Sequence, residues 1–428
     1  MKTASSVPSA ADPSFDAVSA QSAMAEFRSG WPIAVAGAGG LFVVVIYVYS
    51  TGVFIVPLNR AFGWSRGLVT AGMTMVGVVA AIGNPYVGAL LDKIRAGRLA
   101  LVGVLVYAAA VAGLCFAGPS SASWLIGWFA ISIASLAICV PVWLVGVVRR
   151  FERARGLALA IGYCGSSIAA MVIPYLTERF IGAFGWRGAY FALGGLALLV
   201  GVPSAILVLR FDARMAPPAA AVSERASPER YATLKTPRFW RIAAMSLLFT
   251  LGVIALTVHF VPLCVENGVD RQTAAGLAGL IGIGGLIGRL TSGVLLDRFP
   301  GTVVGAVVFL MPATGCFLLL AGSHGVAIMA FVAMVTGISL GAELDIMAYT
   351  LSRYFNIKIY GYLFGILTGV VGCGAGFGPF IAGLLRDLSD SYRQTIAVLA
   401  IAFVVSAALV ASLGRYPQPP SSEPDAET

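Results

Sequence analysis

Twelve long apolar runs, with nearly all the charge confined between them, restrict this chain more than any other feature. A helix that crosses a bilayer needs about 20 mostly apolar residues. Runs of that length stand at Trp31–Leu58, Gly67–Leu91, Leu99–Ala117, Ser123–Val148, Gly156–Thr177 and Arg187–Leu209. Six more follow at Phe239–Cys264, Thr273–Leu296, Thr302–Ala321, Val326–Ser352, Gly361–Leu385 and Arg393–Leu413. Only 11% of the residues are charged, less than half the roughly 25% of a soluble domain, so lipid is the expected solvent. The 51 glycines fit that reading, because small residues let membrane helices approach closely. The fold expected is an all-α membrane protein of twelve spans in two bundles.

The stretch 210–238 holds Pro217, Pro218, Pro228 and Pro237 and reads as a linker between bundles at 31–209 and 239–414. Residues 1–30 and 415–428 read as flexible tails, and nothing in 1–30 has the form of a signal peptide. Loops on the side of the linker and termini hold 17 of the 28 Lys and Arg residues, those on the other side 7. The positive-inside rule therefore puts both termini in the cytoplasm of a multi-pass plasma-membrane protein, expected to be a monomer in a bacterial inner membrane. The net charge of +9 is explained by those loops, with no basic face for nucleic acid. Six scattered cysteines lack metal-ligand spacing, and no metal or cofactor is expected. Gly282-Ile-Gly-Gly-Leu-Ile-Gly288 lies within a span without a Walker lysine, which argues against ATP.

The halves repeat at a constant offset of 205. Pro57 pairs with Pro262, Arg66 with Arg271, Gly77 with Gly282, Gly83 with Gly288, Gly156 with Gly361, and Pro174 with Pro379. The loop after span 2 reads Gly88-Ala-Leu-Leu-Asp92-Lys93, and that after span 8 reads Gly293-Val-Leu-Leu-Asp297-Arg298. In these motifs the chain resembles the major facilitator superfamily, whose parallel six-helix repeats form two pseudo-symmetric bundles. Gly88, Asp92, Lys93, Gly293, Asp297, Arg298 and Arg150 are then expected to form a conformational latch. Phe62-Gly-Trp-Ser-Arg66, and Arg150-Phe-Glu-Arg-Ala-Arg-Gly156 ahead of span 5, resemble the monocarboxylate transporters and their oxalate/formate antiporter relatives.

Ionisable groups at membrane depth are costly and mark function. Arg289 lies eight residues before Asp297; Glu343 and Asp345 lie ten and eight before Arg353. At 1.5 Å per residue all three are about 12 to 15 Å inside. A guanidinium presents a planar fork that matches a carboxylate, and the resemblance implies that Arg289 binds the substrate anion; a standing ion pair with Glu343 or Asp345 is the alternative. The two acids point about 200° apart. One is expected to line the path and take up a proton, preferably Asp345, and the other to lock the helix. Asn84, the repeat partner of Arg289, together with Tyr47, Tyr49, His259 and Tyr349, completes the candidate substrate contacts. The chain departs from the family in having Gly285 where an aspartate stands, Tyr49 where a lysine stands, and no cation in span 11 before Arg386. One deep cation suits a monocarboxylate better than a dianion. The expected activity is proton-coupled transport of a small organic anion and not enzymatic; a drug or cation exporter using Glu343 and Asp345, or an anion exchanger, is the alternative.

Overall fold

The computed structural model describes residues 13–91, 93–212, 233–356 and 359–414. Backbone polar groups in lipid must be satisfied within the segment, and among the described residues the regular structure is helical throughout. The first half comprises α1 (Pro13–Val44), α2 (Ile46–Phe62), α3 (Arg66–Leu91), α4 (Ala96–Gly113), α5 (Ser121–Leu136), α6 (Val140–Arg150) and α7 (Arg155–Asp212). The second comprises α8 (Pro237–Glu266), α9 (Arg271–Arg298), α10 (Gly301–Leu320), α11 (Val326–Tyr354), α12 (Tyr360–Ser389) and α13 (Tyr392–Ala411).

Among the described residues, eleven helical segments, two of them pairs of abutting helices, are long and apolar enough to cross a membrane, and one of them is long enough to cross twice. The 58-residue α7 turns at Gly185, whose φ of 69° and ψ of 173° are not helical; such a left-handed φ suits glycine. Its end returns to the side from which it began, where Asp212 accepts the Gly97 N–H at 2.7 Å. Twelve crossings in six-helix halves result.

Two expected spans are each built from two helices. The first breaks at Val45 between α1 and α2. The fourth breaks at 137–139 ahead of Pro141, which stands in the first turn of α6, where its missing N–H is no loss. The carbonyl exposed at that break, on Ile138, is taken by the Trp143 indole N–H at 2.9 Å.

The tail boundary at residue 30 needs correction, because α1 begins at Pro13. The Glu26 carboxylate accepts the backbone N–H groups of Glu152, Arg153 and Ala154 at 2.9 to 3.1 Å. Those are orphan donors ahead of α7, so a residue assigned to a loose tail instead caps a helix. Residues 1–12, most of the linker (213–232) and the tail from 415 lie outside the described residues.

The repeat survives as geometry. A Cβ on Gly77 would meet the Gly372 carbonyl and Gly376. A Cβ on its repeat partner Gly282 would meet Ser167 and Met171, which are the repeat partners of 372 and 376. Helices α3 and α12 therefore cross between the halves as α9 and α7 do, about one pseudo-twofold axis.

This seam is closed at one end and open at the other. Toward the side away from the termini, Gly52, Gly279, Gly376 and Gly383 would each strike the opposite half if given a Cβ. Toward the termini, Gly88, Gly156, Gly293, Gly361, Gly365 and Gly369 have no atom within 4 Å of a Cβ. At those positions no glycine of α3, α7, α9 or α12 touches the opposite half; this uncontacted end of the seam is the vestibule.

Candidate functional site

Arg289 sits on α9 and is partly buried. Its guanidinium lies over the ring of Tyr163 on α7, 4.8 Å from the centroid, a distance at which a cation is attracted to an aromatic face. The contact crosses the seam. The Nε–H is buried and has no hydrogen-bond partner. Among the described residues the ion pairs involve other groups, so Arg289 is not the standing partner of Glu343 or Asp345. A cation held in no ion pair is expensive at membrane depth, and Arg289, partly buried, stands at the head of the vestibule.

The two deep acids face differently, as their spacing requires. Glu343, 3% exposed, accepts a hydrogen bond from the Thr250 hydroxyl of α8. Ser339, one turn earlier, donates to the Val308 carbonyl of α10 at 2.7 Å. That face is packed inside the second half. Asp345 is partly exposed and accepts from Ser292 Oγ on α9 at 2.5 Å. Tyr163 is within electrostatic reach of both Arg289 and Asp345.

The other sequence candidates divide. Tyr49 is within reach of the Arg289 charge and lines a cavity of about 10 Å³ with Gly52, Pro174, Thr257, Val258 and Ile281. That space holds about one water and marks where the closed part of the seam begins. Asn84 is exposed on α3, on the open part of the seam. Tyr349 lies under the Arg353 guanidinium at 5.6 Å. Tyr47 packs edge-on against Trp128 inside the first half, at 6.1 Å. His259, 2% exposed, is used up: one ring nitrogen is 2.9 Å from the Pro379 carbonyl, the other 2.9 Å from the Tyr392 hydroxyl. The carbonyl can only accept, so Nε2 carries the proton and Nδ1 accepts from the tyrosine. The structure thus brings Arg289, Asp345 and Tyr49 to one region and sets His259, Glu343 and Tyr47 against partners of their own halves.

Among the described residues, the groups of the expected latch make no ion pair with one another. Gly88, Lys93, Gly293, Asp297 and Arg298 are exposed at the open end, and Asp92 lies outside the described residues. Arg150 donates to Ser29 Oγ at 2.6 Å, within its own half.

The closed end carries an ionic cluster that the sequence reading did not identify as such. Asp387, near the end of α12, accepts the N–H groups of Arg66 and Gly67 at 3.1 and 2.8 Å, capping α3 from the opposite half. Arg66 is also 3.9 Å from Asp387 and from Glu266. Its repeat partner Arg271 pairs with Glu178 of α7 at 2.8 Å, so repeat-related arginines clamp both edges of the closure. Beside Arg271, exposed Asp270 caps α9 through the Thr273 N–H, and the Thr273 hydroxyl first, then that N–H, hold its carboxyl below the usual range. Beneath the clamp, Thr70 and Thr74 of α3 donate to the carbonyls of Pro379 and Gly376 at 3.1 and 3.0 Å.

Loss of an N-cap costs about 0.5–2 kcal/mol, so Asp387→Ala is expected to shift the balance of states roughly three- to thirtyfold away from closure at this end. A cysteine placed at Gly365, in the open vestibule, would report it: impermeant maleimide applied on the termini side should label the variant more slowly. An unchanged labelling rate would show that Asp387 does not hold the closure.

Tyr163, Ser292 and Asp387 carried no legible signal, being ordinary residues at helix positions whose neighbours come from other helices. Only the pairing of Arg66 with Arg271 pointed toward the cluster.

The description Major Facilitator Superfamily matches residues 37–356. Monocarboxylate transporter 13 of Bos taurus is 24% identical over 393 residues, 90% of each chain. Monocarboxylate transporter 12 of Homo sapiens is 24% identical over 304 residues, 64% of this chain and 59% of that one. Among solved structures, the nucleoside transporter NupG superposes with a TM-score of 0.71 at 13% identity, covering 90% of this chain and 100% of that one. A bacterial homologue of the human lysosomal transporter Spinster, inward-facing and unoccupied, gives 0.67 at 15% identity, covering 89% and 96%. At these identities the structures speak for the fold alone.

Proposed function

Because the chain belongs to the major facilitator superfamily, we propose that it is a secondary carrier of a small monocarboxylate, coupled to protons and working by alternating access. One observation carries the reading: the unpaired guanidinium of Arg289, stacked on Tyr163 across the seam at the head of the vestibule. A carboxylate supplies the two acceptor oxygens and the single negative charge that this site lacks. The printed names of the relatives, monocarboxylate transporters, support the same chemistry.

The proton falls to Asp345, the deep acid on the α9 side, since Glu343 is enclosed within its half. That enclosure also argues against an exporter that uses both acids. With both termini in the cytoplasm, the open vestibule faces inward, and the Arg66–Asp387 and Arg271–Glu178 clamps close the outer end. Binding that neutralises Arg289 removes the cost of moving an uncompensated charge through a closed state, which would drive the cycle only when the site is filled.

The test is uptake of radiolabelled acetate, lactate, benzoate and oxalate into proteoliposomes, with and without an inward proton gradient. Saturable uptake of one or more monoanions, raised by the gradient and not shared by oxalate, is the expected result. Equal uptake of the dianion would sink the single-cation argument, and indifference to the gradient would sink proton coupling.

A further inference from the structure

We infer that Ser292 is a positioning residue that holds the Asp345 carboxylate off Arg289 and so keeps the guanidinium free for substrate; the inference rests on Arg289 as the carboxylate's partner. Helices α9 and α11 run in the same direction and touch backbone to backbone, for a Cβ on Gly341 would meet the Gly285 carbonyl at 2.1 Å. Four residues further along each helix stand Arg289 and Asp345. Equal steps from one contact put them at the same level on adjoining helices. An ion pair is the arrangement expected of opposite charges so placed in a membrane.

The pair does not form. Asp345 instead accepts from Ser292 Oγ at 2.5 Å, and Ser292 stands one turn beyond Arg289 on the same helix. Ser292 is 1% exposed, so its hydroxyl is shared between two protein acceptors, the Arg289 carbonyl at 3.0 Å and the closer Asp345 carboxylate. Its repeat partner is Val87, also buried. The position can therefore be packed without a hydroxyl, and the oxygen of Ser292 serves the one half that has a deep arginine and a deep aspartate. Two carboxylates compete for one guanidinium, that of Asp345 and that of the substrate. Ser292 weights the competition toward the substrate by giving Asp345 a charge-assisted bond elsewhere.

The experiment measures KM and Vmax by substrate counterflow, which needs no net proton movement, using the fastest transported of acetate, lactate and benzoate. Ser292→Ala removes one oxygen and keeps the packing. It is expected to raise KM about tenfold, in line with the loss of a hydrogen bond to a charged group, with Vmax little changed. Ser292→Thr, which keeps the hydroxyl, should restore the affinity. In an Asp345→Asn background the Ser292→Ala change should have no further effect on KM, because the competing charge is gone. An unaltered KM in Ser292→Ala, or the same rise with Asp345 replaced, would overturn the role. Arg289→Ala belongs in the same series: if it abolishes carboxylate counterflow while Ser292→Ala behaves as wild type, only the Ser292 role falls. If Arg289→Ala transports normally, the carboxylate reading itself falls, and this role with it.

Discussion

Arg289→Ala is expected to lower carboxylate uptake by a factor of roughly thirty to several thousand while leaving the protein folded. Truncating one member of a buried, hydrogen-bonded charge pair costs about 2–5 kcal/mol, and each 1.4 kcal/mol is about tenfold. In the empty protein the same truncation breaks little. Arg289 has no ion pair among the described residues, so no carboxylate is orphaned when it goes. The Tyr163 ring loses only its cation–π partner, a contact worth about 0.5–2 kcal/mol. Removing a charge that is held in no ion pair from membrane depth offsets that loss. Activity and stability should therefore part company, and a thermal melt in detergent alongside the uptake assay would reveal it. A lost melting transition would mean that Arg289 supports the fold. Arg289→Lys should recover only part of the uptake, since an ammonium keeps the charge but lacks the planar fork.

Gly52→Ala is expected to reduce occupation of the state open toward the termini by roughly tenfold to a hundredfold, with transport falling in proportion. The added methyl would stand 1.9 Å from the carbonyl oxygen of Val258 and 2.9 Å from its carbon. These are backbone atoms of α8 in the opposite half, so no rotamer change relieves the clash. Overpacking costs about 1–3 kcal/mol, and here the molecule can avoid the cost by parting α2 from α8 instead of unfolding. Under the alternating access proposed above, closure at this end goes with opening at the other, so the penalty acts on one state. Labelling of a cysteine at Gly365 from the termini side, in a cysteine-free background, should slow in the variant. Normal labelling together with a lower melting temperature would mean that the strain is absorbed within one half, and the conformational argument would be lost.

The architecture was largely legible because lipid leaves few choices. Backbone polar groups must be paired inside each span, so span length and the offset of 205 already imply twelve crossings and a pseudo-twofold axis. The repeat carries into the packing, since Gly77 and Gly282 sit against repeat-related positions of α12 and α7, which the sequence alone did not indicate. Its misses lay where local signals end. A polar stretch read as a tail turned out helical as far back as Pro13, with Glu26 serving as a cap for another segment. The break at 137–139 is stabilised by an indole N–H five residues away, which no hydropathy window detects.

For the site, the sequence by itself determined the chemistry on offer: a deep arginine, two acids of opposite facing, and a scatter of tyrosines. Charge in an apolar run is conspicuous, because nothing but function or pairing justifies its cost. Tertiary structure alone decided who is paired with whom. It engages His259 with Tyr392 and Pro379, encloses Glu343 with Thr250, turns Asp345 to Ser292, and sets Arg289 on Tyr163 without a counter-ion. The physical reason is that a hydrogen bond or ion pair is settled over about 3–4 Å, whereas its partners here are 53 to 133 residues apart in the chain and meet only when separate helices pack.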